Sequence, residues 1–375
     1  MPVPSFLSPS LTAGIEALTR HYADTVLPLW RAAGWNEALQ LPYESLDDRS
    51  GQPLPAVRYR AMACARQLFV FSHAGPAGAA RAEALFDSLQ RHFGDGQEAW
   101  LYSIDAAGKP LDSRRDLYTF AFMVFACAQY HKLSGNAAAL ELMTRTTELI
   151  EQRFADGQGL YLSALAEDFA DDGAPVLQNP IMHLTEAYLA AYAIAGEPWY
   201  GERLQAIGAA VLARFVDPAS GCIAELPQGE AGNRIEPGHQ FEWFSLVMGA
   251  PALFAGSALE AALRRAFVFA RQHGVAADTL GVSAALAADG TLQDATQRIW
   301  AQTEFARALA VEGSARSLDT LALWTERFRS RFLHDGGWHE VLGPDGEVLR
   351  ADMPSTTPYH LLGAYQALQA LVGRV

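Results

Sequence analysis

Apolar residues return along this chain at three- and four-residue spacing, in runs long enough to be helices. The run 137–154 shows the pattern: Leu140, Met143, Ile150 and Phe154 form a stripe, Thr147 completes its rhythm, and Leu142 and Leu149 widen one side. Asp156-Gly157 breaks it. Leu160-Tyr161-Leu162 reads as a short strand, and 166–178 is acidic and loop-like, with a proline. Asn179-Pro180 then predicts a second helix start, with Asn as the cap and Pro at the first position. That helix runs through Leu184, Ala187, Leu189 and Tyr192 to Ala195-Gly196. The unit is helix, hairpin or loop, helix.

The same unit recurs. Helices ending in an aromatic followed by Asp or Gly appear at Phe93, Phe154, Phe215 and Phe332. The first two intervals are 61 residues and the last is 117, close to two more units, so a degenerate copy belongs near Gln272-His273-Gly274. A period of this length means stacked supersecondary units. About six fit in 375 residues. Six helix pairs can close into an all-α (α/α)6 barrel with short β-hairpins or loops at its mouth. An open solenoid is the rival, but it needs polar capping repeats, and the terminal helices here are as apolar as the middle ones. The expectation is a single barrel domain over 1–375.

Composition narrows the partners. Half the residues are apolar and 19% are charged, with a net charge of −14. Nucleic acid is excluded as a partner, because phosphate binding needs clustered Lys and Arg. No apolar run reaches membrane-spanning length, and the first twenty residues lack the pattern of an export signal. Cys64, Cys127 and Cys222 are odd in number and widely spaced. They fit neither a disulfide framework nor a zinc site, and are expected as buried thiols in a reducing cytoplasm.

Chemistry gathers where each unit's second helix begins. In Pro237-Gly238-His239-Gln240-Phe241-Glu242-Trp243, His239 and Glu242 share one face of a first turn. Read alone, they are a cap and a carboxylate favouring the positive end of the helix dipole. The other starts carry Asp116 and Tyr118; Asn179, His183 and Glu186; Trp300, Gln302 and Glu304; and Tyr359 and His360. A lone histidine on an apolar helix is ordinarily a satisfied core residue. Three at nearly one phase of a repeat converge on one pocket if the ring closes. His73, at a helix end, is a further candidate for the mouth, whereas Trp100, Trp338 and Tyr102 in the hairpins read as packing residues. Arg66 stands on an apolar stripe with Met62, Phe69 and Val70. A buried guanidinium must find acceptors. It either pairs with Glu186, Glu242 or Glu304, or is a fixed cation aimed at an oxygen that becomes negative.

These segments together resemble the N-acylglucosamine 2-epimerase superfamily, which includes mannose isomerases, cellobiose 2-epimerases and a sulfoquinovose isomerase. The resemblance rests on Ala65-Arg66-Gln67, Asp116-Leu117-Tyr118, Asn179-Pro180-Ile181-Met182-His183-Leu184, Pro237-Gly238-His239 with Glu242-Trp243, Trp300-Ala301-Gln302-Thr303-Glu304, and Thr357-Pro358-Tyr359-His360. The segment 352–360 is most similar to the mannose isomerase branch. The resemblance implies an (α/α)6 barrel and cofactor-independent, metal-free chemistry at C2 of a monosaccharide. It implies His239 and His360 as the acid/base pair, His183 in ring opening or hydroxyl-proton handling, and Arg66 as the enediolate-stabilising cation. Tyr118, Asn179, Glu186, Glu242, Trp243, Trp300, Gln302 and Glu304 would hold the sugar. The expected protein is a cytoplasmic monomer or homodimer that isomerises a free aldose such as D-mannose, with 2-epimerisation as the alternative outcome. From other classes, a glycoside hydrolase would need two carboxylates flanking the scissile bond, and a silent sugar-binding scaffold would bind without turnover.

Overall fold

The computed structural model describes residues 7–96 and 99–373. The first six residues, part of the stretch read for an export signal, lie outside it. Twelve main helices alternate between two rings. The outer ring is α1 (Pro9–His21, carried on by a wide turn to Leu27–Arg31), α3 (Pro76–Phe93), α5 (Ala137–Arg153), α7 (Pro198–Arg214), α9 (Ala258–Gly274) and α11 (Ala315–Phe332). The inner ring is α2 (Ala61–Ser72), α4 (Leu117–Ser134), α6 (Gln178–Ala195), α8 (Pro237–Met248), α10 (Ile299–Glu312) and α12 (Thr357–Val372).

Amphipathicity sorts the two rings. Outer helix α9 buries Leu259, Ala262, Leu263, Ala266, Phe267 and Ala270, a single three-and-four stripe. Inner helix α4 buries nearly every residue from Leu117 to Ala128, because one side faces the outer ring and the other its inner neighbours. Each inner helix touches the next, and α12 touches α2. The first and last units are tied by more than helix packing. Ser45–Leu46 pairs antiparallel with Met353–Pro354, and the Gln67 amide donates to the Ser355 carbonyl at 2.6 Å. The chain is an (α/α)6 barrel.

The connections are asymmetric. Inner helices α4, α6 and α10 stop at Gly135, Gly196 and Gly313, each left-handed at φ 70°, 65° and 68°. Such a residue reverses the chain within a few positions, and Asn136 and Ser314 then cap the following outer helices. The outer-to-inner connections are long and carry the hairpins. Their repeat shows in one recurring bond: Leu101, Leu162, Ala224, Ser283 and His339 donate N–H to the carbonyls of Phe93, Phe154, Phe215, Gly274 and Phe332. The degenerate copy therefore falls on Gly274. A Cβ there would lie 2.4 Å from Cγ of Pro237, so the aromatic of the other units has no room.

Two local expectations need correction. Helix α6 starts at Gln178 with Leu177 as its cap residue, so Asn179 lies inside the first turn and does not cap it. His73 lies at the C-terminal end of α2, against Phe69, and lines a separate rear cavity rather than the mouth. All three cysteines are free and buried. Among the described residues, no helix is long and apolar enough to cross a membrane.

Candidate active site

The N-terminal ends of the inner helices surround a cavity of about 670 Å³. Arg66 from α2, Tyr118 from α4, Asn179 and His183 from α6, His239 and Glu242 from α8, Trp300 from α10 and His360 from α12 all line it. Asp116, the N-cap of α4, lines it as well. Tyr102, read as a packing residue, also reaches the cavity, while Trp100 and Trp338 are buried in the hairpins.

Each histidine is held from behind by a carboxylate at Nδ1. His239 Nδ1 lies 2.7 Å from Glu225 Oε1, His360 Nδ1 2.9 Å from Glu304 Oε1, and His183 Nδ1 3.2 Å from Glu186 Oε2. A carboxylate there fixes the proton on Nδ1 and leaves Nε2 as the working nitrogen. The imidazoles of His239 and His360 also pack, tilted, on the Trp300 indole, with centroids 4.9 and 5.8 Å away.

The supports explain several placements that differ from expectation. Trp243 does not reach the cavity; its indole N–H donates to Gln178 Oε1 at 2.7 Å. That bond orients the Gln178 amide so its NH₂ donates to Glu225 at 3.1 Å, and Glu225 holds His239. Gln302 is also outside the cavity. Its amide bonds the backbone of Val282 and Arg298, locking hairpin to helix. Glu186 and Glu304 stand behind His183 and His360 and do not line this cavity. They form, with Arg307 and Tyr359, part of the wall between this cavity and the rear one, which measures about 750 Å³. Arg307 lies 3.4 Å from Glu304 and 3.9 Å from Glu186, and the Tyr359 hydroxyl donates to Glu186.

Arg66 takes none of the carboxylate partners weighed for it. Its Nη2 donates to the Tyr118 hydroxyl at 2.6 Å, and the guanidinium lies over the rings of Phe122 and Tyr359 at 4.3 and 4.8 Å. Its Nε is buried without a partner, and no carboxylate stands within ion-pair distance among the described residues. Asn179 Oδ1 and Glu242 Oε1 are likewise buried without a hydrogen bond, although Glu242 Oε1 faces His183 Nε2 at 3.9 Å.

The environments set the charges apart. Burial pushes His183 down to about 4, despite Glu186. Burial, with the Arg66 charge, pushes His360 well below the usual imidazole range. Burial would lower His239 too, but the adjoining Glu225 outweighs it and raises it. Burial, then the charges of Glu304 and Glu186, drives Glu242 well above the usual carboxylate range, toward the protonated form. Among the described residues four trios have metal-ligand composition, with donor atoms within 4.8 Å of one another, and three of them belong to this site: His183/Glu186/Glu242, Glu225/Glu236/His239 and Glu242/Glu304/His360. In each of these three, the imidazole Nδ1 already bonds a carboxylate or faces one.

The sequence missed Gln178, Glu225, Arg298, Arg307 and Glu340. Glu225 and Glu340 lie in hairpins, where no periodicity marks them. Arg307 carried a signal, a guanidinium three residues after Glu304 on an otherwise apolar helix.

Residues 43–364 match the N-acylglucosamine 2-epimerase (GlcNAc 2-epimerase) family. The chain belongs to that family. It is thereby placed among the sugar isomerases and epimerases. A mannose-6-phosphate isomerase of Rhizobium meliloti is 28% identical, over 94% of this chain and 96% of that one. A D-mannose isomerase of Thermobifida fusca is 26% identical, over 79% and 80%. The crystal structure of a D-mannose isomerase superposes with a TM-score of 0.81 at 20% identity, covering 99% of this chain and all of that one. At that identity the superposition shows the shared fold alone.

Proposed function

We propose that this family member is a cytoplasmic, cofactor-independent aldose–ketose isomerase. Its substrate would be an aldose of the D-mannose kind, converted to the corresponding ketose. We take it to work as a single barrel domain, as a monomer or homodimer. The observation that carries the proposal is the meeting of His183, His239 and His360, each backed by a carboxylate, with an uncompensated Arg66 around one cavity. The names of the relatives support a mannose-type sugar. The hydrolase alternative would use two of Glu186, Glu242, Glu304 and Asp116; Glu186 and Glu304 face histidines, and of the two that line the cavity Asp116 is engaged by Thr119 as a helix cap.

The mechanism follows from the charges. The C2–H next to the aldehyde of the opened sugar is too weakly acidic to leave unaided. His360, held neutral, takes that proton at Nε2. The electron pair moves into a C1–C2 double bond, and negative charge forms on O1. Arg66 stabilises it, a donor of this kind contributing on the order of 3–4 kcal/mol, and Glu242, shifted toward its protonated form, stands beside it. His239, held toward the imidazolium form, gives its Nε2 proton to O1 and takes one from O2. His360 returns its proton to C1, which leaves the C2 ketone. Two groups with pKa values pushed apart divide acid from base in this way. His183 hands protons between ring hydroxyls during opening.

Incubating D-mannose in deuterated water and following it by NMR tests the proposal. Fructose is expected, carrying deuterium at C1 in the fraction of turnovers in which the proton on His360 exchanges with solvent before it is returned. Glucose carrying deuterium at C2, without fructose, would mean epimerisation instead. Loss of neither C–H signal would overturn the proposal.

A further inference from the structure

We propose a structural metal site at the seam of the ring, where Asp48, His334 and His339 take one divalent ion of the zinc kind. The site lies outside the catalytic cavity and does not depend on which reaction the barrel carries out. Asp48 belongs to the first unit, two residues past the strand at 45–46, and both histidines belong to the hairpin of the last unit. One ligand atom from each lies within 4.8 Å of the others, and all three side chains are partly exposed. Unlike the imidazoles of the three cavity trios, neither ring is hydrogen-bonded to a carboxylate among the described residues. A second observation concerns the nitrogens themselves. His334 Nε2 and His339 Nδ1 are both buried with no hydrogen-bond partner among the described residues. Buried polar atoms ordinarily have one, and an exception calls for a water or an ion.

Backbone bonds hold the ligands in place. Leu333–His334 pairs antiparallel with Gly337–Trp338, His339 N–H donates to the Phe332 carbonyl at 2.8 Å, and His21 Nε2 donates to the His334 carbonyl at 2.9 Å. The turn carrying Asp48 is closed by Gly51 N–H on the Asp47 carbonyl at 2.9 Å. The two rings stand 4.7 Å apart, tilted by 36°. Two imidazoles and a carboxylate suit Zn²⁺, Co²⁺ or Ni²⁺, whereas Mg²⁺ and Ca²⁺ want shells of oxygen. Zinc bonds of about 2.0–2.2 Å set the donors about 3.4 Å apart, so the side chains close by on the order of 1 Å, and a water completes the tetrahedron. One contact opposes the ion. Gly336 N–H donates to His334 Nδ1 at 3.2 Å, and Nδ1 must take the ring proton when Nε2 ligates. That bond is exposed, and its loss lowers affinity by up to about tenfold. With the ion in place, residue 48 is tied to 334 and 339, a second clasp beside the strand pair of 45–46 with 353–354.

Titration of zinc into the full-length, untagged protein, first stripped with a chelator, tests this by calorimetry and by the melting curve. A saturable site with Kd at or below about 100 µM is expected, and zinc at about a hundredfold excess over that Kd should raise Tm by about 3 °C. Mg²⁺ and Ca²⁺ should give no such shift. His339→Gln and Asp48→Asn should each weaken binding at least about tenfold and shrink the shift, while circular dichroism stays that of the parent. Zinc-edge anomalous scattering from a soaked crystal should peak between Asp48, His334 and His339. Binding weaker than about 100 µM, undiminished binding in both variants, or a peak only at the cavity trios overturns the proposal. None of these readouts uses sugar turnover, so failure here leaves the isomerase reading standing, and failure of that reading leaves the metal site standing.

Discussion

The three cavity histidines each have a carboxylate of their own at Nδ1 and do not titrate alike. Glu225 raises His239, while burial and Arg66 hold His360 low. If His360 must be neutral and His239 protonated, kcat/KM falls on two limbs. Activity is lost as pH drops through the depressed pKa of His360, and lost again as pH rises through the raised pKa of His239, with a plateau between. Glu225→Gln removes the group that raises His239, so the alkaline limb should move to lower pH while the acid limb stays. Trp243→Phe should move the same limb the same way by less, since it frees Gln178 and only thereby loosens Glu225. A pH–rate profile of each variant checks the order. His239→Ala and His360→Ala are each expected to remove nearly all turnover while the far-UV circular dichroism and melting curve stay near wild type.

At the scale of the element, the buried aromatics that end the outer helices fix where the hairpins leave. Phe154 is fully buried, and Phe154→Ala should cost about 3–5 kcal/mol of stability in urea titration. Gly274→Ala is a sharper test, because its methyl would meet Pro237, the first residue of α8. Stability should fall by about 1–3 kcal/mol, and turnover should fall with it, since His239 sits two residues further on. Much at this level was legible in the chain. The apolar rhythm gave the helices, and the spacing of Phe93, Phe154, Phe215 and Phe332 gave the repeat. The phase of His183, His239 and His360 gave their meeting, because a period fixes where a residue falls around a ring. Function behind the first layer was not legible. Gln302 and Trp243 have residue types suited to sugars, yet their polar atoms bond Val282 and Gln178, a choice made by tertiary neighbours. Glu225 lies in a hairpin with no pattern to flag it.

Across the whole molecule, the last unit leans on the first, through α12 against α2 and the strand pair of residues 45–46 with 353–354. A circle has no free end from which to fray, so unfolding is expected as one transition, with tryptophan fluorescence and circular dichroism coinciding. Separate transitions would mean that the units melt one at a time, as in a linear array. The partition between the two cavities gives a second test. Arg307 balances Glu186 and Glu304 there while opening partly on the rear cavity. Arg307→Met should destabilise the fold by about 2–3 kcal/mol, less than for a fully enclosed pair.

The unequal connections at the two ends divide the polypeptide's freedom to change. Glycine reversals after α4, α6 and α10 leave no slack at the rear, so length changes there would pull helices out of step. The hairpins at the front end in solvent, where added residues weigh little on stability. New rims can thus be grown over an untouched set of imidazoles, and descent within such a lineage would alter what is admitted before it alters what is done to it.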